Sequence, residues 1–349
     1  MHTGAWSTLT PSPGSITSAV PYAVIDAAGR AGAATEPLFR AAGLSDDERS
    51  GADVHITATR YIELWDRVLE VVHKPAFALA VASSMELEDS EVFGFLAMSC
   101  ATLGEAFDRT AKYRALYNTG ARWELQLEAD AVRLIYYPWP AAKRTAGYRA
   151  AVELSVADMA SAAKRLARPT IAPIAVKLAH ARPSSTREYR DAFGVEPVFG
   201  AMLDELVYAP GLLETPIKSF NSRLREYFDA QCATLAGRFV DDAPTSARTR
   251  AELIATMNGG DVSMEAIAKR IGTSGRSLHR KLAEDGTRFV DLLDEVRQEF
   301  AKRYLARGTV TASEVAYLTG FQSPNAFFRA FKRWTGQTPK AFQTASAAP

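Results

Sequence analysis

Residues 263–282 read SMEAIAKRIGTSGRSLHRKL, and this stretch decides the fold of the C-terminal part of the chain. Ser263 can cap a short helix that has an acid in its first turn and apolar residues at helical spacing. Gly272 can adopt the left-handed conformation that ends this helix, and Ser274 can cap the next one. Leu278 and Leu282 give the second helix a buried side. Two short helices that meet at a glycine turn predict a helix-turn-helix motif.

The same pattern returns in residues 311–331, which read TASEVAYLTGFQSPNAFFRAF. Thr311 and Glu314 form a capping-box pattern, and Ser323-Pro324 combines an N-cap with a first-turn proline. The matching positions are Ile267-Ala268 with Val315-Ala316, Gly272 with Gly320, Leu278 with Phe327, Arg280 with Arg329, and Leu282 with Phe331. Between the copies, a long helix is predicted by Phe289, Leu292, Leu293, Val296, Phe300 and Tyr304. One such pattern is weak evidence, but the duplication predicts an all-α domain with two helix-turn-helix motifs.

Charge separates this C-terminal part from the rest of the chain. Residues 245–349 contain 16 Lys and Arg against 10 Asp and Glu, whereas residues 1–244 contain 25 against 30. A basic module on a mildly acidic body is expected when only one part of a protein meets a polyanion such as DNA.

In the first 216 residues, the apolar positions follow helical spacing in some stretches and strand alternation in others. Residues 1–15 are rich in Ser, Thr, Pro and Gly, so we predict a disordered tail. Helices are predicted in 16–72, 102–117, 146–166 and around Tyr189, a β-hairpin over 123–136, and strands over 174–178 and 206–208. The sequence therefore predicts an α+β regulatory domain over 16–216, a helical linker region over 217–246, and the double helix-turn-helix domain over 247–349.

Several classes of protein are disfavoured by the same sequence. Cys100 and Cys232 have neither a metal-ligand spacing nor a disulfide pattern, so no metal, cofactor or disulfide is expected. No secretory signal and no run of about eighteen apolar residues is present, which favours a cytoplasmic, nucleoid-associated protein with no membrane partner.

The chain resembles the AraC/XylS family of bacterial regulators. The residues that carry the resemblance are the paired motifs, Gly320-Phe321-Gln322-Ser323, Phe327-Phe328-Arg329-Ala330-Phe331-Lys332, and Trp334-Thr335-Gly336-Gln337-Thr338-Pro339. A second, weaker resemblance is to the arabinose-binding-type regulatory domain of ornithine-utilisation and mycobacterial virulence regulators. It rests on Gly94-Phe95-Leu96, Thr102-Leu103-Gly104-Glu105-Ala106 and 193–199, which read FGVEPVF. The resemblance implies an effector-responsive activator of transcription whose partners are promoter DNA, RNA polymerase, a small-molecule effector and a second copy of the chain.

The predicted recognition helices supply the candidate DNA contacts. Arg276, His279 and Arg280 share one face of the first helix, and the resemblance places base-reading positions on the same three residues. His279 departs from the glutamine that is commoner at this position in the family. On the second helix the corresponding base-reading candidates are Pro324, Asn325 and Arg329. The phosphate-contact candidates are Ser274, Lys281, Ser323, Lys332 and Arg333.

For the effector, an apolar pocket with a few polar anchors is expected, and the candidates are Trp123, Tyr136, Tyr137 and His180. Aromatic residues that alternate on strands more often pack in a core, and a single histidine is more often a hydrogen-bonded structural residue. No catalytic residue is predicted, because neither cysteine lies in a reactive context and no phosphate loop, zinc-protease motif or serine elbow occurs. Two other functions stay open from sequence: a ligand-independent architectural DNA-binding protein, and an enzyme domain targeted to DNA.

Overall fold

The computed structural model describes residues 14–46, 54–74, 76–139, 144–242, 245–257, 260–307 and 310–347. The chain divides into two compact units, Met1–Asp242 and Ala243–Pro349, and the division falls within the predicted linker region. Of the predicted disordered tail, residues 1–13 lie outside the described residues, but Ser15 belongs to a strand. The tail prediction is wrong at Ser15, because that residue pairs with Thr57, a distant partner that local composition does not reveal.

The first unit is α+β, as predicted. Its helices are α1 (Ala19–Arg30), α2 (Glu36–Ala42), α3 (Ala58–Val72), α4 (Phe77–Ser84), α5 (Glu91–Ser99), α6 (Leu103–Lys112), α7 (Ala146–Leu166), α8 (Arg187–Phe193) and α9 (Ser222–Asp242). Its strands are β1 (Ser15–Thr17), β2 (His55–Thr57), β3 (Arg122–Leu127), β4 (Val132–Tyr137), β5 (Ala175–Leu178), β6 (Val198–Phe199) and β7 (Asp204–Tyr208). The sequence did not predict β1, β2, β6, α4 or α5; the three strands are too short to show a periodicity.

The larger sheet has the strand order β3-β4-β7-β5-β6. The predicted hairpin is confirmed, since Trp123 pairs with Tyr136, and Leu125 with Leu134. Every pairing is antiparallel except that of β5 with β6. Side chains alternate along a strand, so Leu134 and Tyr136 lie on the face of the sheet toward the helices, while Tyr137 lies on the other face.

Helix α7 is the centre of this unit. It packs against α3 and α4, and its residues are buried on most sides. Leu154 of α7 and Tyr61 and Trp65 of α3 are among the largest buried side chains of the unit, with 2% exposure or less. The result is a rigid helical wall beside the sheet.

Helix α9 lies on the surface of α5 and was predicted as part of a linker. Cys232 is fully buried and packs with Leu96, Tyr113 and Leu116 of the α5–α6 region. Phe228, Cys232 and Leu235 recur at helical spacing, so the helix has an apolar stripe that needs a partner. Residues 222–242 are therefore an integral helix of the first unit rather than a free linker.

The second unit is all-α, as predicted. Its helices are α10 (Thr245–Thr256), α11 (Met264–Arg270), α12 (Gly275–Glu284), α13 (Phe289–Arg307), α14 (Ala312–Leu318), α15 (Pro324–Thr335) and α16 (Pro339–Ala347). The predicted caps are confirmed: Ser263, Ser274, Thr311 and Ser323 each accept a hydrogen bond from a backbone N–H in the first turn. Thr311 and Glu314 form the complete capping box. Helices α11 and α12 make the first motif, and α14 and α15 make the second.

The two turn glycines allow a matched test of stability. Gly272 and Gly320 both have a positive φ, 74° and 72°. Gly272→Ala should destabilise the protein by about 1–2 kcal/mol, the cost of a left-handed alanine. Gly320→Ala should cost more, because its Cβ would lie 2.9 Å from Val262 Cγ2, whereas nothing lies within 4 Å at Gly272. Urea unfolding of both variants measures the difference, and equal losses would contradict this close packing.

Candidate DNA-binding surface and effector cavity

The first recognition helix, α12, presents the predicted basic face to solvent. Leu278 and Leu282 are fully buried, which fixes the rotation of the helix and leaves Arg276, His279 and Arg280 exposed. Arg280 donates to Glu284 Oε1 at 2.7 Å, an ion pair with both side chains more than half exposed. An exposed pair of this kind contributes little to stability, so Arg280 can exchange Glu284 for a base at small cost. Within the described residues, Arg276 makes no ion pair.

The second recognition helix, α15, has the same arrangement. Phe327 and Phe331 are fully buried, while Asn325, Arg329 and Lys332 are exposed and Pro324 is half-buried. Arg329 makes no ion pair to any described residue. The predicted phosphate residues Ser274, Lys281 and Ser323 are also exposed, and both serines are engaged as N-caps.

Arg333, a predicted phosphate residue, has a partner inside the unit. Its guanidinium donates to Asp294 Oδ2 of α13 at 2.6 Å, and Trp334 Nε1 donates to the same oxygen at 3.3 Å. Two-thirds of the Arg333 side chain is nevertheless exposed. Arg333 therefore joins α15 to α13, and it is also a predicted phosphate contact.

Helix α13 holds the second motif through contacts that the sequence did not predict. Arg297 donates to the carbonyl oxygens of Thr319 at 3.0 Å and Gly320 at 2.7 Å, and its guanidinium lies 4.4 Å from the centroid of the Phe321 ring. Gln298 donates to the Trp334 carbonyl at 3.2 Å. The turn of the second motif is thus fixed to the connecting helix, which keeps the two recognition helices in a set geometry.

Each motif has its own apolar centre. Buried residues of α10 to α13 form one cluster, in which Leu278 and Leu282 pack with residues such as Ile267 and Phe300. The second motif instead packs aromatic rings, and Phe327 contacts Phe321, Phe328 and Phe331 at centroid distances of 5.6–5.9 Å. Damage to one centre is therefore expected to affect one motif more than the other.

The first unit contains a cavity of about 240 Å³ between α5, α6, α7 and the β3–β4 hairpin. Trp123 and Tyr136, both predicted for the effector pocket, line it, and their rings lie 4.9 Å apart. Its apolar walls include Ile16, Val20, Leu103, Phe107, Leu134, Leu154 and Met159. Its polar and charged lining includes Ser155, Asp158, Arg165, Arg114, Arg122 and Glu86.

The other two predicted pocket residues do not line this cavity. Tyr137 lies on the opposite face of β4 from Tyr136, where the Arg122 guanidinium stacks 4.0 Å from its ring centroid. His180 lies beside Glu153, with Nε2 3.2 Å from Oε1, and the Tyr189 hydroxyl donates to the same oxygen at 2.6 Å. Burial raises the pKa of the Glu153 carboxyl, and His180 and Tyr189 both counter this effect. His180 therefore belongs to a buried polar cluster apart from the cavity that Trp123 and Tyr136 line.

Asp158 is an acidic residue of the cavity wall that the sequence analysis did not single out. Arg165 donates to its Oδ1 at 2.7 Å, and 26% of the Asp158 side chain is accessible. Burial raises the pKa of the Asp158 carboxyl, while Arg165 opposes this and nearby Asp89 adds to it. Its place in the middle of a helix gave no sequence signal, because only the packing of α7 against the hairpin makes it part of a cavity.

Two exposed recognition helices on one all-α unit, together with a cavity-bearing α+β unit, define a DNA-binding transcription regulator. The family comparison agrees. The model for the arabinose-binding domain of AraC transcription regulators, N-terminal, matches residues 32–217, and a helix-turn-helix domain model matches residues 267–345. The chain belongs to the AraC family of transcription regulators.

Individual relatives are similar over different lengths. The ornithine utilization regulator of Pseudomonas aeruginosa is 27% identical over 324 residues, which cover 93% of this chain and 94% of that protein. The transcriptional regulator VirS of Mycobacterium tuberculosis is 28% identical over 197 residues, which cover 55% of this chain and 56% of that one. The crystal structure of the regulator CdpR from P. aeruginosa is similar with 20% identity and a TM-score of 0.45, over 93% of this chain and 98% of that chain. Within the described residues, the structure contains no helix of the length and apolar character that a membrane crossing requires.

Proposed function

We propose that this regulator activates transcription in response to a small molecule that binds in the cavity of its first unit. The two recognition helices bind promoter DNA through the base-reading and phosphate residues named above, and RNA polymerase and a second copy of the chain complete the assembly. The observation that carries the response to an effector is the position of α5 and α6, which lie between the cavity and α9.

Helix α6 touches the cavity with one side and α9 with the other. Leu103, Ala106 and Phe107 line the cavity. On the opposite side, Arg109 donates to Glu105 Oε1 at 3.0 Å and lies 2.8 Å from Asp229 Oδ1 of α9. Arg225 of α9 donates to the same Glu105 oxygen at 3.2 Å. These partly buried ion pairs connect the cavity wall to α9.

Helix α5 makes the same kind of connection through apolar contacts. Phe93, Gly94 and Ala97 line the cavity, while Val92 and Leu96 pack with the apolar stripe of α9. The ring of Phe95 also stacks on Phe228 of α9, with centroids 5.4 Å apart. A ligand that displaces α5 or α6 would therefore displace α9 as well.

Helix α9 ends at Asp242, and the DNA-binding unit begins at Ala243. A shift of α9 would thus move the point at which the DNA-binding unit is attached. For this to regulate DNA binding, the effector must bind the two positions of α9 with different affinity, and coupling of 1–3 kcal/mol is typical.

The proposal is tested by measuring promoter-site affinity of the full chain with and without each member of a metabolite panel. At least one compound should change the affinity, and it should also raise the melting temperature, because it binds the folded state. An affinity unchanged by every compound would favour the ligand-independent architectural function.

Asp229→Asn should uncouple the two sites. The variant removes the charge that holds Arg109 to α9, so the effect of the effector on DNA affinity should shrink by about 1 kcal/mol or more. The affinity for the effector itself should stay within about two-fold of that of the unaltered protein. Glu128→Gln is the matched control, since it breaks an ion pair with Arg133 at 2.9 Å in the hairpin, away from α9. Full coupling in Asp229→Asn, or equal loss in the control, would contradict this connection.

An enzyme domain targeted to DNA receives no support from the cysteines. Both thiols are buried, and burial raises the pKa of Cys100 to about 12 and that of Cys232 to about 11. A thiol in this state is protonated at neutral pH and is a poor nucleophile.

A further inference from the structure

We propose that the cavity binds an organic cation, an amine with an apolar or aromatic body, and that Asp158 holds its ammonium group. This inference rests on the proposed effector function and specifies the chemical class of the effector. It departs from the sugar that the name of the matched domain suggests.

The walls fit an apolar body with a positive charge. Phe93 and Tyr117 form a stacked pair with centroids 5.1 Å apart, and Trp123 and Tyr136 form a second pair at 4.9 Å. Aromatic faces attract cations, and the attraction is larger in a site from which water is excluded. A volume of about 240 Å³ accommodates a ligand of roughly ten non-hydrogen atoms.

The carboxylate is only partly compensated by the protein. Arg165 occupies Oδ1 of Asp158, and Oδ2 accepts no hydrogen bond from the described residues. Asp158 is in the middle of the buried helix α7, so its accessible surface faces the cavity. Burial and the nearby Asp89 raise the pKa of the Asp158 carboxyl, while Arg165 lowers it. An ammonium at Oδ2 would give this carboxylate a second cationic partner.

Two other arginines, Arg114 and Arg122, also line the cavity. The Arg122 guanidinium lies 4.0 Å from the Tyr137 ring centroid and 4.0 Å from Glu124. Glu86 adds a further negative charge to the lining.

The neutral polar side chains of the lining offer a sugar few hydrogen-bonding partners. Ser155 Oγ donates to Ala151 O and accepts from the Tyr136 hydroxyl, and Thr110 Oγ1 donates to Ala106 O. Asn118 Oδ1 already accepts from two backbone N–H groups. These three side chains therefore offer a bound sugar little replacement for the hydrogen bonds its hydroxyls make to water, and the loss of such bonds is costly.

The experiment is calorimetric titration of the full chain with three compounds of one shape and with L-arabinose. The three are 4-phenylbutylamine, 4-phenylbutanol and 4-phenylbutanoate. We expect the amine to bind at least about ten-fold more tightly than the alcohol, the carboxylate to bind more weakly still, and arabinose to give no signal. Ala162→Trp, which fills the cavity, should abolish binding of the amine.

Asp158→Asn should remove the preference for the amine over the alcohol. The affinity for the alcohol should stay within about three-fold of that of the unaltered protein. Because this change leaves Arg165 without its partner, the double variant Asp158→Asn/Arg165→Gln, in which no buried charge is orphaned, repeats the measurement if the single variant unfolds. Asp158→Glu should retain the preference.

The amine class would be overturned if the carboxylate, the alcohol or arabinose bound most tightly, or if no compound bound. It would also be overturned if Asp158→Asn bound the amine as tightly as the unaltered protein does. If one of the other compounds binds and Ala162→Trp abolishes its binding, the cavity remains the effector site and only the class is wrong. Failure of the effector function itself would show separately, as promoter affinity that no metabolite alters.

Discussion

Arg280→Ala is expected to weaken binding to the preferred promoter site by about 1–3 kcal/mol and to relax the preference at one base position. Arg280 is exposed on the side of α12 opposite the buried Leu278 and Leu282, where it can reach guanine in the major groove. Because the side chain is exposed, the free energy of unfolding should change by no more than about 0.5 kcal/mol.

Lys332→Ala is the matched comparison on the second helix. Lys332 is exposed, makes no ion pair with any described residue, and is predicted to contact phosphate. Its loss should weaken specific and random DNA about equally and reduce the salt slope by about one unit. Glu284→Gln, which releases Arg280 from its ion pair, should leave specific affinity unchanged or slightly higher.

The three variants are titrated on the preferred site, on single-base variants of it and on random DNA at several salt concentrations. A uniform loss on all sequences for Arg280→Ala would mean that Arg280 contacts phosphate, and the proposed orientation of α12 in the groove would be wrong.

Phe327→Ala should destabilise the second motif by about 3–5 kcal/mol, because it empties the centre of an aromatic cluster. Leu278→Ala should destabilise the first motif by about 2–5 kcal/mol. Since the two centres are largely separate, each variant should lose protection over one of two short DNA boxes that lie about one helical turn apart.

Urea unfolding gives the change in stability, and nuclease footprinting gives the protected boxes. Tyr317→Ala, in which an aromatic side chain with 58% exposure is removed from α14, is the control and should change stability by no more than about 0.5 kcal/mol. Loss of both boxes in both variants would show that the motifs unfold as one unit.

The sequence alone predicted both helix-turn-helix motifs and the long helix between them, but not α10 or α16. Ser263, Gly272, Thr311 and Ser323 hold the caps and turns that the sequence indicated, because capping and helix periodicity depend on residues three or four positions apart. The β3–β4 hairpin was predictable for the same reason, since its strands are adjacent in the chain.

Tertiary structure alone decided how the distant parts of the first unit meet. The strand order β3-β4-β7-β5-β6, the docking of α9 on α5 and the entry of Asp158 into the cavity wall all join residues far apart in sequence. Trp123 and Tyr136 meet in the cavity wall because they are cross-strand neighbours, whereas His180 lies in a separate polar cluster with Glu153. A local pattern specifies which side of an element is apolar, but only packing specifies which other element covers it, and that choice formed the cavity and its connection to α9.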